Sequence, residues 1–159
     1  MAQVYLSLGS NKGNLSENIN RAVWYIHNLP LVRVNGVSRI FETKIKCGKK
    51  EGIAHFATIR IETEATPEVL LGMCQGIETA MGKEHKKGAD FIIDIDILRF
   101  DDMEIDKDYL KLPHPELLNR PYIMACLLSM GADSALRKRL LELGEENVKI
   151  LSDGIYLPL

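Results

Sequence analysis

The sequence predicts an α+β fold with the ferredoxin-like order β-α-β-β-α-β, an antiparallel sheet with helices stacked on it and further helices toward the C-terminus. Three observations carry that prediction. Stretches rich in β-branched residues alternate with two segments of helical apolar spacing, and each helical segment has its own start and stop signals. No repeat, low-complexity tract or linker interrupts the 159 residues, so residues 1–159 are expected to form one domain.

The elements follow in order. QVYLSL (3–8) reads as a strand running into the turn GSNKGN. From Leu15, the positions Ile19, Ala22, Val23, Ile26 and Leu29 keep helical spacing, with Asn14 or Ser16 as cap and Pro30 as stop. LVRVNGVSRIFET (31–43) has strand character with a glycine marking a bulge; KIKCGKKEG (44–52) reads as a loop and HFATIRIET (55–63) as a strand. Thr66-Pro67-Glu68 combines a cap, a first-turn proline and an early acid. Leu70, Leu71, Cys74, Ile77 and Met81 then supply a buried stripe, and Gly82 fits the position just past the helix end. A basic loop, KEHKKGAD (83–90), leads to the strand FIIDIDILRF (91–100), which is expected to be central because Phe91, Ile93, Ile95 and Ile97 make one face strongly apolar. Residues 101–120 read mostly as loop, 122–130 and 134–143 as helices, and 148–157 as a closing strand. Trp24 is expected in the core.

Composition narrows the function. Hydrophobic residues make up 46% and charged residues 26%, ordinary for a globular protein. A formal net charge of −2 argues against broad electrostatic binding to nucleic acid or anionic membrane, so any anion site must be local. Three widely spaced cysteines suggest neither a disulfide framework nor a zinc site. MAQVYLSLGS lacks the basic and apolar regions of a signal peptide, which makes the cytoplasm the expected compartment.

The chemistry centres on FIIDIDILRF. Side chains alternate along a strand, so Asp94 and Asp96 share a face, although Asp disfavours strands and like charges repel. A solvated edge would account for them; so would a divalent cation, since Mg²⁺ is held by one or two carboxylates plus substrate phosphates. LPHPELLNRPY (112–122) offers His114 and Arg120 in a proline-stiffened loop, and a guanidinium fork suits phosphate oxygens. Lysine-rich loops with glycines, carrying Lys44, Lys46, Lys49 and Lys50 in one and Lys83, Lys86 and Lys87 in the other, read as solvated loops or as lids over a polyanion. Gln75 and Glu78 lie three apart on one helix face and could be nothing more than its exposed side. No glycine-loop phosphate cradle or kinase signature is present.

Taken together, these blocks resemble the 6-hydroxymethyl-7,8-dihydropterin pyrophosphokinase family of folate biosynthesis. YLSLGSNKGN (5–14) is similar to the family's opening strand and turn, and IETEATPEVLLGMCQGIETAMGK (61–83) to its second helix. IDIDIL (93–98) is similar to its L-D-L-D-I-L, and LPHPELLNRPYIM (112–124) to its P-H-P-x-x-x-x-R-x-F/Y pattern. The resemblance implies pyrophosphate transfer from ATP to the pterin hydroxymethyl group, releasing AMP. Asp94 and Asp96 would hold two Mg²⁺ ions, and Arg120 and Lys83 would complete the catalytic set. Gln75, Glu78, Ile97, His114 and Arg120 would bind ATP; Thr43 and Tyr122 would lie against the pterin. Catalysis would then be positioning and charge neutralisation.

The chain departs from the family in three places. GKEHKKGADFII (82–93) replaces a longer segment with an arginine pair and W-G-P-R-T; the strand at 55–61 lacks the asparagine that reads the pterin edge; and TKIKCG replaces a proline-containing loop start. A relative that binds nucleotide or pterin without catalysing, or one using another acceptor, is the rival reading these departures support.

Overall fold

Period-two burial organises the sheet, and the computed structural model describes it over residues 1–47, 50–83, 90–131, 134–143 and 148–154. In β1 (Ala2–Ser10), Val4, Leu6 and Leu8 are fully buried in the main core, while Tyr5, Ser7 and Gly9 point to the opposite face. β1 pairs antiparallel with β4 (Lys50–Thr63) on one side and β5 (Asp94–Phe100) on the other. The far side of the long β4 pairs first with β2 (Val32–Val37) and then with β3 (Arg39–Cys47), and β8 (Val148–Gly154) pairs with β3. The order is therefore β5-β1-β4-β3-β8 with β2 beside β4, a ferredoxin-like arrangement in which β2 and β3 share one strand's role.

Two capped helices cover one face. α1 (Leu15–His27) starts where the Asn14 side chain accepts from the Glu17 N–H, and it buries Ile19, Ala22, Val23 and Ile26. α2 (Pro67–Ala80) starts where Thr66 accepts from the Val69 N–H. It ends in a Schellman turn: Gly82, at φ 96°, donates to the Thr79 carbonyl (3.0 Å), and the Lys83 N–H reaches back to the Glu78 carbonyl (2.9 Å). α3 (Pro121–Ser129) packs on the opposite face against β3 and β4, with α4 (Ser134–Leu143) beside it. Among the described residues no helix is long and apolar enough to cross a membrane.

Several sequence expectations need correction. β5 is not central; β1 is its one strand partner among the described residues, and burial on its two faces comes from α2 on one side and from α3 and the loop before it on the other. Residues 31–43 form two strands that break at Ser38. Its N–H donates to the Thr58 carbonyl (2.8 Å), and its hydroxyl accepts from the Thr58 N–H (2.9 Å). The expected bulge lies at Val34–Gly36. The 44–52 loop is instead the end of a β3–β4 hairpin, paired out to Cys47 and Lys50. Residues 101–120 contain a small hairpin, β6 (Ile105–Lys107) with β7 (Leu110–Leu112). Trp24 is 48% exposed and packs edge-on to Tyr25 rather than entering the core. His85, Lys86, Lys87, Lys49 and the end of the expected closing strand lie outside the described residues.

The helix-ending turn yields a stability test. A Cβ at Gly82 is strained by its positive φ, so Gly82→Ala should lose about 1–2 kcal/mol of unfolding free energy in urea denaturation. An unchanged midpoint would show that the turn readjusts without cost.

Candidate active site

The GSN turn after β1 sets the entry to β5. The Asn11 side chain accepts from the Phe91 N–H (2.6 Å) and its own N–H donates to the Phe91 carbonyl (3.0 Å). The turn itself is held by Asn18, whose amide donates to Ser10 Oγ (3.1 Å) and to the Lys12 carbonyl (2.8 Å). β5 then runs with Asp94 opposite Gly9 and Asp96 opposite Ser7. Small residues on β1 leave space over both carboxylates, whose side chains are 38% and 31% exposed.

A β-bulge shapes the rest of the strand. Leu6 pairs with Ile97 but Tyr5 with Arg99, so Leu98 is the extra residue. Ile95, Ile97 and Phe100 face the main core, whereas Leu98 joins Ile123 and Leu127 in a separate cluster on the opposite face. The Leu98 carbonyl accepts from the His114 N–H (2.9 Å), which hangs the 112–122 loop on β5 directly after the acids. His114 Nδ1 accepts from the Glu116 N–H (3.1 Å), fixing the ring within that loop. Arg120, at the N-cap of α3, places Nη1 3.8 Å from Asp96 Oδ2. Behind the loop lies a cavity of about 400 Å³ lined by Tyr5, Leu98, Leu117, Leu127 and Leu136; neither acid borders it.

The electrostatics follow from this geometry. Burial, and then the neighbouring Asp94 charge, push the Asp96 carboxyl above the usual range, while His114, Arg120 and Lys83 pull it down. On the other side of Asp94 lies Lys83, with Nζ 3.2 Å from Asp94 Oδ1 and 2.9 Å from Glu78 Oε2. Glu78 is buried, and its Oε2 also accepts from the Ile95 N–H (2.9 Å). Burial pushes its carboxyl up to about 7, against the pull of the Ile95 N–H and Lys83. Lys83 is itself raised: burial opposes its charge, but Glu78 and Asp94 outweigh that.

A third part lies farther along the same sheet face. The Tyr122 ring stacks on Phe56 at 4.0 Å between centroids and 19° between planes. Phe56 in turn lies over Gly9, where a Cβ would come within 2.5 Å of its ring, so only glycine lets the ring lie this close to β1. Phe41, Ala54 and Cys126 complete that cluster, and Thr43 is buried on β3 opposite Ala54.

The structure thus gathers Asp94, Asp96, Glu78, Lys83, His114 and Arg120, with Tyr122 in the first turn of the helix that Arg120 caps. Gln75 is exposed on α2, whereas Glu78, three residues on, is buried; the pair is not one exposed stripe. Ile97 packs its side chain into the core, on the face opposite Asp96. Thr43 sits within a strand rather than at a loop start. Phe56 escapes a reading of the sequence because an aromatic in an alternating strand looks like ordinary core. Its one available signal is that it stands in the strand where the family's asparagine is expected.

Among the described residues no three His, Cys, Asp or Glu side chains are gathered to hold a metal. Two half-exposed carboxylates on one face nevertheless fit Mg²⁺, which takes few protein ligands and fills its shell with phosphate oxygens and water.

Comparison with known proteins follows the same outline. Residues 5–132 match the family model described as 7,8-dihydro-6-hydroxymethylpterin-pyrophosphokinase (HPPK). The chain is 32% identical over 151 residues to a 2-amino-4-hydroxy-6-hydroxymethyldihydropteridine pyrophosphokinase of Aquifex aeolicus, covering 92% of this chain and 93% of that one. It is 34% identical over 155 residues to the folic acid synthesis protein fol1 of Schizosaccharomyces pombe, covering 96% of this chain but 21% of the relative. A crystal structure of wild-type Plasmodium falciparum HPPK-DHPS with pteroate shares the fold at a TM-score of 0.66 and 15% identity, over 89% of this chain and 44% of that one. The chain therefore spans about a fifth of the Schizosaccharomyces pombe relative and under half of the Plasmodium protein.

Glu78 gives a pH test. Its folded-state pKa of about 7 lies above the ordinary 4.5, so the folded chain holds the proton more tightly than the unfolded one. The resulting stability is full below about 4.5 and is lost as pH rises through 7. In metal-free buffer, unfolding free energy should fall by about 1–3 kcal/mol between pH 5 and 8 in the wild type, and that fall should be clearly smaller in Glu78→Gln, where only the raised Asp96 carboxyl still contributes. Parallel pH curves for the two proteins would remove Glu78 as the cause.

Proposed function

The chain belongs to the 7,8-dihydro-6-hydroxymethylpterin-pyrophosphokinase family, and from that premise we propose that it transfers pyrophosphate from ATP to the hydroxymethyl group of 6-hydroxymethyl-7,8-dihydropterin. The pterin hydroxyl oxygen bonds to the β-phosphorus, the bond from that phosphorus to the α-phosphate oxygen breaks, AMP leaves, and the hydroxyl proton passes to solvent. The observation that carries this reading is the placement of Asp94 and Asp96 on one sheet face, between the cations Lys83 and Arg120 and beside an aromatic pair. The residues 1–159 work as one cytoplasmic domain on two small molecules, with neither nucleic acid nor membrane as partner.

Each part has a task. Asp94 and Asp96 hold Mg²⁺, two ions in the full complex, which supplies charge neutralisation along the triphosphate. Arg120 and His114, fixed by the loop bonded to Leu98, meet phosphate oxygens; Lys83 does so from the opposite side. The open edge of β5 around Ile97, together with the exposed Gln75 on the adjoining helix, forms the nucleotide side, since an edge strand keeps unpaired backbone groups; Glu78, expected there too, is buried and acts by holding Lys83. The acceptor ring enters by parting Tyr122 from Phe56, which meet at 4.0 Å, with Thr43 beside the slot. Stacked between two aromatic faces, the ring would present its hydroxymethyl group toward the acids. No covalent protein intermediate is needed.

The test is AMP formation from ATP, Mg²⁺ and the hydroxymethyl-dihydropterin. Asp94→Asn and Asp96→Asn should each lower kcat by about two to three orders of magnitude. Retention of full turnover in both would end the proposal. Tyr122→Ala should raise the pterin KM about tenfold or more while leaving ATP affinity in place, as stacking on an aromatic contributes roughly 1–3 kcal/mol. Equal loss for both substrates would remove Tyr122 from the acceptor side.

A further inference from the structure

Lys83 is held with unusual care for a lysine at a helix end. Its backbone N–H is bonded to the Glu78 carbonyl at 2.9 Å through the Schellman turn at Gly82. Its ammonium then meets the Glu78 carboxylate at 2.9 Å, so one residue grips both ends of it. Glu78 is in turn locked, with a side chain only 5% exposed and Oε2 shared between Lys83 and the Ile95 N–H. Glu78 therefore serves as an anchor for Lys83. The position this anchor fixes is 3.2 Å from Asp94 Oδ1. Among the described residues Asp96 has no equivalent; its cation, Arg120, stands off at 3.8 Å.

We propose that Lys83 is a resident counter-cation: in the ion-free protein its ammonium takes the place of positive charge at Asp94, so a divalent ion arriving alone must displace it. The inference rests on the reading of Asp94 and Asp96 as the metal-holding pair. Its consequence is an order of loading. An ion without nucleotide meets an acid already neutralised and an ammonium that repels it. An ion arriving with a triphosphate brings anionic oxygens to which the ammonium can transfer, so the repulsion is relieved at the moment the substrate is present. A lysine suits this task, because its flexible stem and point charge can change partners with little geometric demand.

The experiment is a Mn²⁺ titration of the whole chain followed by electron paramagnetic resonance, first without nucleotide and then with a non-hydrolysable ATP analogue. Without nucleotide, Lys83→Met should bind Mn²⁺ about two- to fivefold more tightly than wild type, an effect of the size expected for one partly exposed charge contact. Lys83→Arg, which keeps the charge, should stay near wild type. Lys107→Met, which removes a remote charge paired with Glu68, should leave Mn²⁺ affinity unchanged. With the analogue bound, the advantage of Lys83→Met should shrink or reverse. Because that variant strands the buried Glu78, the pair Glu78→Gln/Lys83→Met provides the same measurement with the buried acid neutralised.

If both methionine variants at position 83 bind free Mn²⁺ no more tightly than wild type, Lys83 is only a structural tie and the inference falls. It falls equally if Lys107→Met gains as much. A different failure would be nucleotide-supported Mn²⁺ binding that survives in both Asp94→Asn and Asp96→Asn. That would overturn the metal-pair reading itself, and the inference with it.

Discussion

Two like charges on one face of a strand must be answered by positive charge, and the architecture around β5 is arranged to answer them. Strand alternation fixes the problem: Asp94 and Asp96 cannot point apart while Ile95 and Ile97 remain in the core. The responses come from three directions. The end of α2 supplies Lys83, the start of α3 supplies Arg120, and the loop between supplies His114. Each has a backbone hydrogen bond of its own, His114 to Leu98 of β5, Lys83 to Glu78 at the end of α2 and Arg120 accepting from Ile123 in α3, so the cations are held by the fold and not by their attraction to the acids alone. The Coulomb repulsion within the pair is a standing demand for a mobile cation, and a nucleotide polyphosphate with its metal is one ligand that meets it.

That arrangement depends on β5 being at the sheet edge. A central strand would have neighbours on both sides and no route for a ligand to its backbone. As an edge, β5 is covered on its two faces by elements of different character. The α1–α2 side is a continuous apolar core, whereas the α3 side mixes aromatic contacts, a loop and the acids. The two faces of one sheet thus differ in character, one apolar throughout and the other carrying charge and aromatic rings. The aromatic pair, Phe56 with Tyr122, belongs to the second face and links to the acids through α3, since Arg120 caps that helix and Tyr122 lies within its first turn.

Much of this was legible in the residues. Asn14 and Thr66 cap the helices they were expected to cap, Gly82 ends α2 with positive φ, and the Asp-x-Asp rhythm placed both acids on one face. What was not legible has identifiable causes. The edge position of β5 was hidden because Ile93, Ile95 and Ile97 look alike whether a strand or a helix covers them. The break at Ser38 depends on hydrogen bonds to Thr58, twenty residues away, which no local pattern announces. The β6–β7 hairpin has three residues per strand, too few to show alternation. Glu78 looked like surface on helical spacing, yet it is buried, with Lys83 and the Ile95 N–H offsetting part of the cost of its charge there. Trp24 failed the opposite way, its bulk suggesting a core that α1 filled with smaller residues.

The surplus residue Leu98 has a wider consequence. Its carbonyl suspends the His114 loop, and its side chain roots the same loop in the cluster beneath α3. The loop's anchor and the acids therefore travel on a single piece of backbone, while the hairpin at 101–111 separates β5 from the loop in sequence. That hairpin seats Leu110 and Ile105 against the main core, so its length could vary without cost only at the exposed tip around Asp108 and Tyr109. A shift of one residue within β5, by contrast, would rotate the acids inward and cut the loop adrift in the same event.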